Sequence, residues 1–377
     1  MTERIVQRGP LLEAALVVFA ALGVRALHLL AIRDSSFFVA PVLDSAHTES
    51  LIREVAAGNW AAGLPYLRPP LYPWVAGLVS ALTEYSPWVP RVVNAAAGCA
   101  TALATWTAAR QLAFSRGWRL AAGGMAALYA PALFLEGEIL AEPLAGALAA
   151  WALVAMLWAR GRSGPGRVAV PAMMAGLAAL VRAPLAVLPL MVGALRLRTP
   201  ERRGASLLVI LGVTFLVWAG PMLLMHRAGE GLRFPSTQGG INFAIGNHAG
   251  ADGRAVNYPP GFPEVGWREF ESVLRSVPER QMGHAVTASE ASAYWAGRGL
   301  AFWKDHPLDA VRLTVTRLVL LVHGNETPNN RSMYAARGDS PVVRILLVPG
   351  PPYLPGGLLW PLSWFGVWWV WRRRTAS

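Results

Sequence analysis

The chain alternates long apolar runs with short polar connections. Runs at Leu11 to Ile32, Val89 to Leu112, Leu120 to Leu135, Ala141 to Trp158 and Ala205 to Met225 approach the roughly 20 residues that cross a bilayer core of about 30 Å. A further block, Val168 to Leu195, is interrupted by Arg182-Ala183-Pro184, where a lone arginine beside a proline makes a turning point. It therefore predicts two short spans that meet on one side. With a last span at Pro355 to Trp371, the pattern predicts an all-α polytopic membrane bundle of about 8 transmembrane helices.

Two polar stretches break this rhythm. The first, residues 33–88, predicts an external loop containing an amphipathic helix from Asp44 to Ala57, with Asp44 as N-cap and Gly58 as terminator. It continues through Arg68-Pro69-Pro70-Leu71-Tyr72-Pro73 into a short apolar helix, Leu71 to Leu82, that suits the membrane interface. The second, residues 227–340, reads as a large external loop rich in Gly and Pro, with Pro307 to His323 at the outer interface. The domain reading is a transmembrane core at 1–226, the external region at 227–340 and a C-terminal helix with a basic tail at 341–377.

Composition agrees with the pattern: 54% of residues are hydrophobic, 15% are charged and the mean hydropathy is +0.38. The net charge of +12 raises the question of a nucleic-acid partner. The basic residues instead fall between apolar runs, at Arg4 and Arg8, Arg110 to Arg119, Arg160 to Arg167, Arg196 to Arg203 and Arg372 to Arg374. This is a topology signal that puts those connections in the cytoplasm, and no nucleic acid is expected. Cys99 is the single cysteine, so no disulfide forms within one chain. The first run is too long for a signal peptide and reads as a retained helix.

Candidate chemistry collects on the external side. Asp44 on the first loop and Glu136, Glu138 and Glu142 on the second present carboxylates that can flank a reacting hydroxyl as general base and positioning acceptor. The plainer reading is a helix cap and solvated acids. Arg68 and Arg182, both beside prolines near the outer boundary, can hold a lipid phosphate, or merely snorkel to headgroups. In Gly239 to His248 and Asp252-Gly253, the side chains Asn242, Asn247 and Asp252 offer hydrogen bonds suited to a sugar, or else serve ordinary turns. His47, His248 and His284 have no metal-ligand spacing.

The order of these features carries a resemblance. Asp44 with Gly58-Asn59-Trp60, Arg68 to Pro73, Glu138-Ile139-Leu140-Ala141-Glu142, Arg182-Ala183-Pro184, Gly240 to Phe243, Ile245 to Asn247 and Ala251 to Gly253 together resemble the membrane glycosyltransferases of the GT-C type. The similar branch holds bacterial relatives of dolichyl-phosphate-mannose protein mannosyltransferases and the lipid A aminoarabinose transferase. The resemblance implies an inverting transfer from a polyprenyl-phosphate sugar to a lipid, glycan or protein acceptor at the periplasmic face of the bacterial inner membrane. It casts Asp44 as base, Glu136 or Glu138 as the acid of the second loop, and the Arg68 to Tyr72 element beside the donor site; the reading adopted takes Glu138 as that acid and Arg68, Arg182 and Tyr72 as donor-phosphate contacts. His47, Glu136, Glu142, Asn242, Asn247 and Asp252 are left as sugar or acceptor contacts. Ser45 stands where many relatives have a second acid, and His47 where many have tyrosine. No cofactor is required by the resemblance, and a divalent metal stays open. The alternative is a non-catalytic carrier or flippase for a lipid-linked sugar, or a binding subunit.

Overall fold

A computed structural model describes residues 2–160, 164, 166–197, 203–263, 265–327 and 330–375. The loop residues Arg162, Arg198, Glu201 and Arg202 lie outside that set. Among the described residues the chain is helical throughout and contains no strand. It divides into two compact units, Met1–Leu128 with Leu135–Gln238 and Thr287–Ser289, and Tyr129–Phe134 with Gly239–Val286 and Glu290–Ser377.

The helices of the first stretch are α1 (Thr2–Ile32), α2 (Ser36–Val39), α3 (Leu43–Ala56), α4 (Leu71–Thr83), α5 (Trp88–Gln111), α6 (Arg116–Ala127), α7 (Ala130–Gly137), α8 (Glu142–Ala159), α9 (Gly166–Val181), α10 (Val187–Leu197) and α11 (Arg203–Arg227). Four of them, α1, α5, α8 and α11, are long and apolar enough to cross a membrane, and the bent pair α6 and α7 makes a fifth if taken as one span. The expected pair of spans at 168–195 is helical but short. The break at Arg182 leaves helices of 16 and 11 residues, or about 24 and 17 Å at 1.5 Å per residue, below the roughly 30 Å of a bilayer core.

Small residues let these helices approach closely. Ala97, Gly98, Ala102 and Ala104 of α5, Ala145, Ala147 and Ala152 of α8, and Ala172, Ala175 and Ala179 of α9 are buried along the α5, α8 and α9 contacts. Such interfaces are driven by close van der Waals packing rather than by bulky side chains. The large apolar residues point outward instead: Phe19, Leu208 and Leu216 are each more than 70% exposed, as a lipid-facing surface requires. Inside, Val17 and Ala21 pack on Ala102, Trp106 and Ala127. A second core joins Ile52, Tyr72, Ala76, Ile139, Ala145 and Val181, so it ties α3 and α4 to the ends of α8 and α9.

The other unit contains α12 (Gly239–Gly246), α13 (Trp267–Met282), α14 (Ala288–Asp305), α15 (Pro307–Val322), α16 (Pro341–Leu346) and α17 (Gly356–Thr375). The expectation of a Gly-rich loop at 239–246 is corrected here. Gly240 fits because its missing Cβ leaves room for the Ser292 backbone, and its N–H donates to Ser292 Oγ at 3.1 Å. The core of this unit is aromatic: Phe262 stacks with Tyr258 and contacts Trp295, whose indole N–H donates to Leu274 O at 3.0 Å.

Candidate functional site

The first unit gathers its acids where several helix ends meet. Helix α3 begins at Leu43 with Val42 as N-cap, so Asp44 is not the capping residue that the sequence pattern predicts. Leu43 takes φ 48°, a left-handed conformation rarely adopted by such a side chain. Strain of this kind persists only where the surrounding contacts fix it. Asp44, freed from capping, accepts from Arg68 Nη2 at 2.6 Å, and both side chains remain partly exposed, at 33% and 22%.

Arg68 is itself fixed by a second segment of chain. The backbone N–H groups of Thr237 and Gln238 donate to Tyr66 O and Leu67 O, which lays 237–238 alongside 66–67. Gln238 Oε1 then accepts from Arg68 Nε at 3.2 Å. A planar guanidinium held from two directions presents a fixed edge, the property that suits arginine to phosphate and carboxylate recognition.

One residue beyond Asp44, Ser45 is fully buried and its hydroxyl donates to Glu138 Oε2 at 3.0 Å. The carboxylate of Glu138 thus arrives from 93 residues away at the position beside Asp44. Its backbone is pinned as well: Asn94 Nδ2 donates to Glu138 O and Leu140 O, and Arg91 Nε donates to Gly137 O at 2.7 Å. Arg91 also donates to Phe37 O and Phe38 O, which ties α2 to the same turn.

Glu136 and Glu138 are placed on an exposed loop by the sequence pattern, but they are 1% and 2% exposed. For Glu136 the reason is Arg25 in α1. Arg25 Nη2 donates to Glu136 Oε1 at 2.8 Å, Nε lies 2.8 Å from Oε2, and Nη1 donates to Ala21 O and Ala127 O. Gly98 of α5 makes room for the pair, since a Cβ there would overlap Glu136 Oε1 and the Arg25 guanidinium. Glu136 is therefore drawn into the interior as the ion-pair partner of Arg25 and does not stand on an exposed loop.

The remaining expectations divide between the units. Arg182 pairs with Glu142 at 3.0 Å, the two side chains being 40% and 24% exposed. Tyr72 is completely buried in the core beside Ile139 and Val181. His47 is half-buried on α3, and burial is the main cause that lowers its pKa, with the Arg68 charge adding to it and Asp44 opposing. In the other unit Asn242 is exposed on α12. The Asn247 amide donates to Phe243 O and accepts from the Trp303 indole, and Asp252 accepts from the Arg254 and Ala255 N–H groups in an exposed turn. A separate cavity of about 230 Å³ in that unit is lined by residues including Asn247, His248, Pro260, Arg298 and Phe302.

A divalent cation does not fit the acids as arranged. Asp44 is committed to Arg68 and Glu138 to Ser45, and no group of three His, Cys, Asp or Glu side chains among the described residues could hold a metal ion. The residues that sequence reasoning missed are Arg25, Ser45, Arg91 and Asn94. For Arg25, Arg91 and Asn94 a signal was present, because ionisable and amide side chains inside apolar helices are costly without a partner; Ser45 carried none. Compared with protein-family models, curated proteins and solved structures, the chain has no match.

Proposed function

We propose that this chain is a glycosyltransferase of the inner bacterial membrane that moves a sugar from a polyprenyl-phosphate donor to an acceptor hydroxyl. The observation that carries the reading is Asp44, partly exposed and oriented by Arg68, with the buried Glu138 carboxylate hydrogen-bonded to the next residue of α3, Ser45. Where the resembling enzymes carry a second acid next to the first, this sequence has Ser45, and Glu138 stands in for it.

The chemistry needs no nucleotide fold. The acceptor hydroxyl gives its proton to Asp44 as its oxygen bonds to the anomeric carbon. The bond from that carbon to the phosphate oxygen breaks, and the polyprenyl phosphate leaves with the electron pair, so the anomeric centre inverts. Arg68 and Arg182 would hold the departing phosphate charge. Glu138, hydrogen-bonded through Ser45, positions the acceptor side of the site. In this reading α3 and the acids face the periplasm.

Purified protein in detergent, incubated with radiolabelled polyprenyl-phosphate sugars, tests this directly. Wild type should release free lipid phosphate, and Asp44→Asn should lower that rate by about 10²- to 10⁴-fold while still binding donor. Full activity in a folded Asp44→Asn protein removes the claim. One observation favours the alternative of a carrier or flippase: the Arg25 and Glu136 charges lie inside apolar helices. Movement of labelled lipid-linked sugar between leaflets with no transfer product would select that alternative.

A further inference from the structure

We infer that Tyr72, Asn94 and Glu142 form a subsite for the hydroxyl groups of the donor's sugar, an inference that rests on the proposed function. Tyr72 and Asn94 are 0% exposed, yet Tyr72 Oη, Asn94 Oδ1 and Glu142 Oε2 make no hydrogen bond. The three belong together. Tyr72 feels both the Asn94 amide and the Glu142 charge, and all lie where α4, α5 and α8 meet behind the acid turn.

The orientation of each group follows from its other bonds. The Asn94 amide nitrogen is taken by Glu138 O and Leu140 O, so its oxygen faces the opposite way. Glu142 gives one oxygen to Arg182 at 3.0 Å, which leaves the buried one turned inward. Asn94 stands beside the phenol, with no hydrogen bond of good geometry to its oxygen. Three buried polar groups left unpaired at one place oppose folding, and such groups persist where they serve a ligand.

Their chemistry chooses the ligand class. Asn94 Oδ1 and Glu142 Oε2 only accept, while the Tyr72 hydroxyl both donates and accepts. A phosphate oxygen carries no proton to offer two acceptors and meets a carboxylate charge besides. A sugar hydroxyl donates and accepts, and two neighbouring hydroxyls would satisfy all three groups. Arg182 is the more exposed member of the Arg182–Glu142 pair, so the anionic phosphate of the donor would meet Arg182 first and leave its sugar facing Glu142 and Tyr72.

Tyr72→Phe removes one oxygen and tests the inference without opening a cavity. Binding of a short-chain polyprenyl phosphate, with and without its sugar, is measured in detergent alongside the melting temperature. The variant should bind the glycosylated form about tenfold more weakly, bind the sugar-free form as wild type does, and melt at the same or a higher temperature. Equal weakening of both forms makes Tyr72 a phosphate contact and overturns the subsite, as does no change in either. A lowered melting temperature with loss of all binding makes the hydroxyl structural and overturns it too. Wild type that binds neither form refutes the donor reading itself, whereas wild type that binds both equally refutes only the subsite.

Discussion

Removing one member of the Arg25–Glu136 pair should be among the most damaging single changes in this protein. Both side chains are 2% exposed, and Arg25 also donates to Ala21 O and Ala127 O. Glu136→Leu strands a guanidinium that cannot shed its charge, since arginine stays protonated at any accessible pH. Breaking a buried pair in this way costs about 3–5 kcal/mol, or roughly 10²- to 10⁴-fold in the folding equilibrium. Arg25→Met strands a carboxyl instead, which can take up a proton, so its cost should fall at the low end of that range. Replacing both together removes both charges and their desolvation, and such replacements are often neutral or stabilising by about 1–4 kcal/mol. The double variant should therefore be far more stable than the sum of the two losses. Unfolding in detergent followed by tryptophan fluorescence reads this, because Trp106 is 4% exposed in the core that packs α1, α5 and α6. Two single variants as stable as wild type, or a double variant whose loss equals the sum, would refute the pair as a coupled buried unit.

Gly98→Ala should cost about 1–3 kcal/mol by overpacking, because its Cβ would overlap the Glu136 carboxylate and the Arg25 guanidinium; a melting curve unchanged from wild type would contradict this. Asn94→Leu leaves Glu138 O and Leu140 O without their donor and should destabilise by about 1–3 kcal/mol while also lowering transfer, since the backbone that carries Glu138 loosens. His47 gives a pH signature. Burial holds its folded pKa below the ordinary imidazole value of 6.5, so as pH falls through that value the unfolded chain takes up a proton before the folded one does. The stability associated with neutral His47 is present above about pH 6.5 and declines below it, by at most about 1.4 kcal/mol for each unit of depression. His47→Gln should flatten that part of the stability profile, and an unaltered profile would show that burial of His47 does not shift it.

The sequence by itself determined the helical, membrane-type character of the chain and most of the helix positions. Those follow from local quantities: the length of an apolar run, the proline beside Arg182, and Gly58, whose φ of 95° ends α3 where the pattern placed the end. It also singled out Asp44 and Arg68, which lie 24 residues apart and meet at 2.6 Å. Other expectations failed because they assigned a residue from its flanks. Glu136 follows an apolar run and reads as exposed, yet Arg25, 111 residues earlier, draws it into the interior. The Gly-rich stretch at 239–246 reads as a turn, yet it forms a helix because Gly240 permits close approach to Ser292. Only the tertiary structure decided which acid meets which base. Helical periodicity fixes the face on which a residue lies, but the partner opposite that face comes from helix packing between segments about a hundred residues apart. That is why Ser45 met Glu138, Arg91 and Asn94 fixed the turn before it, and Tyr72 was carried into the core.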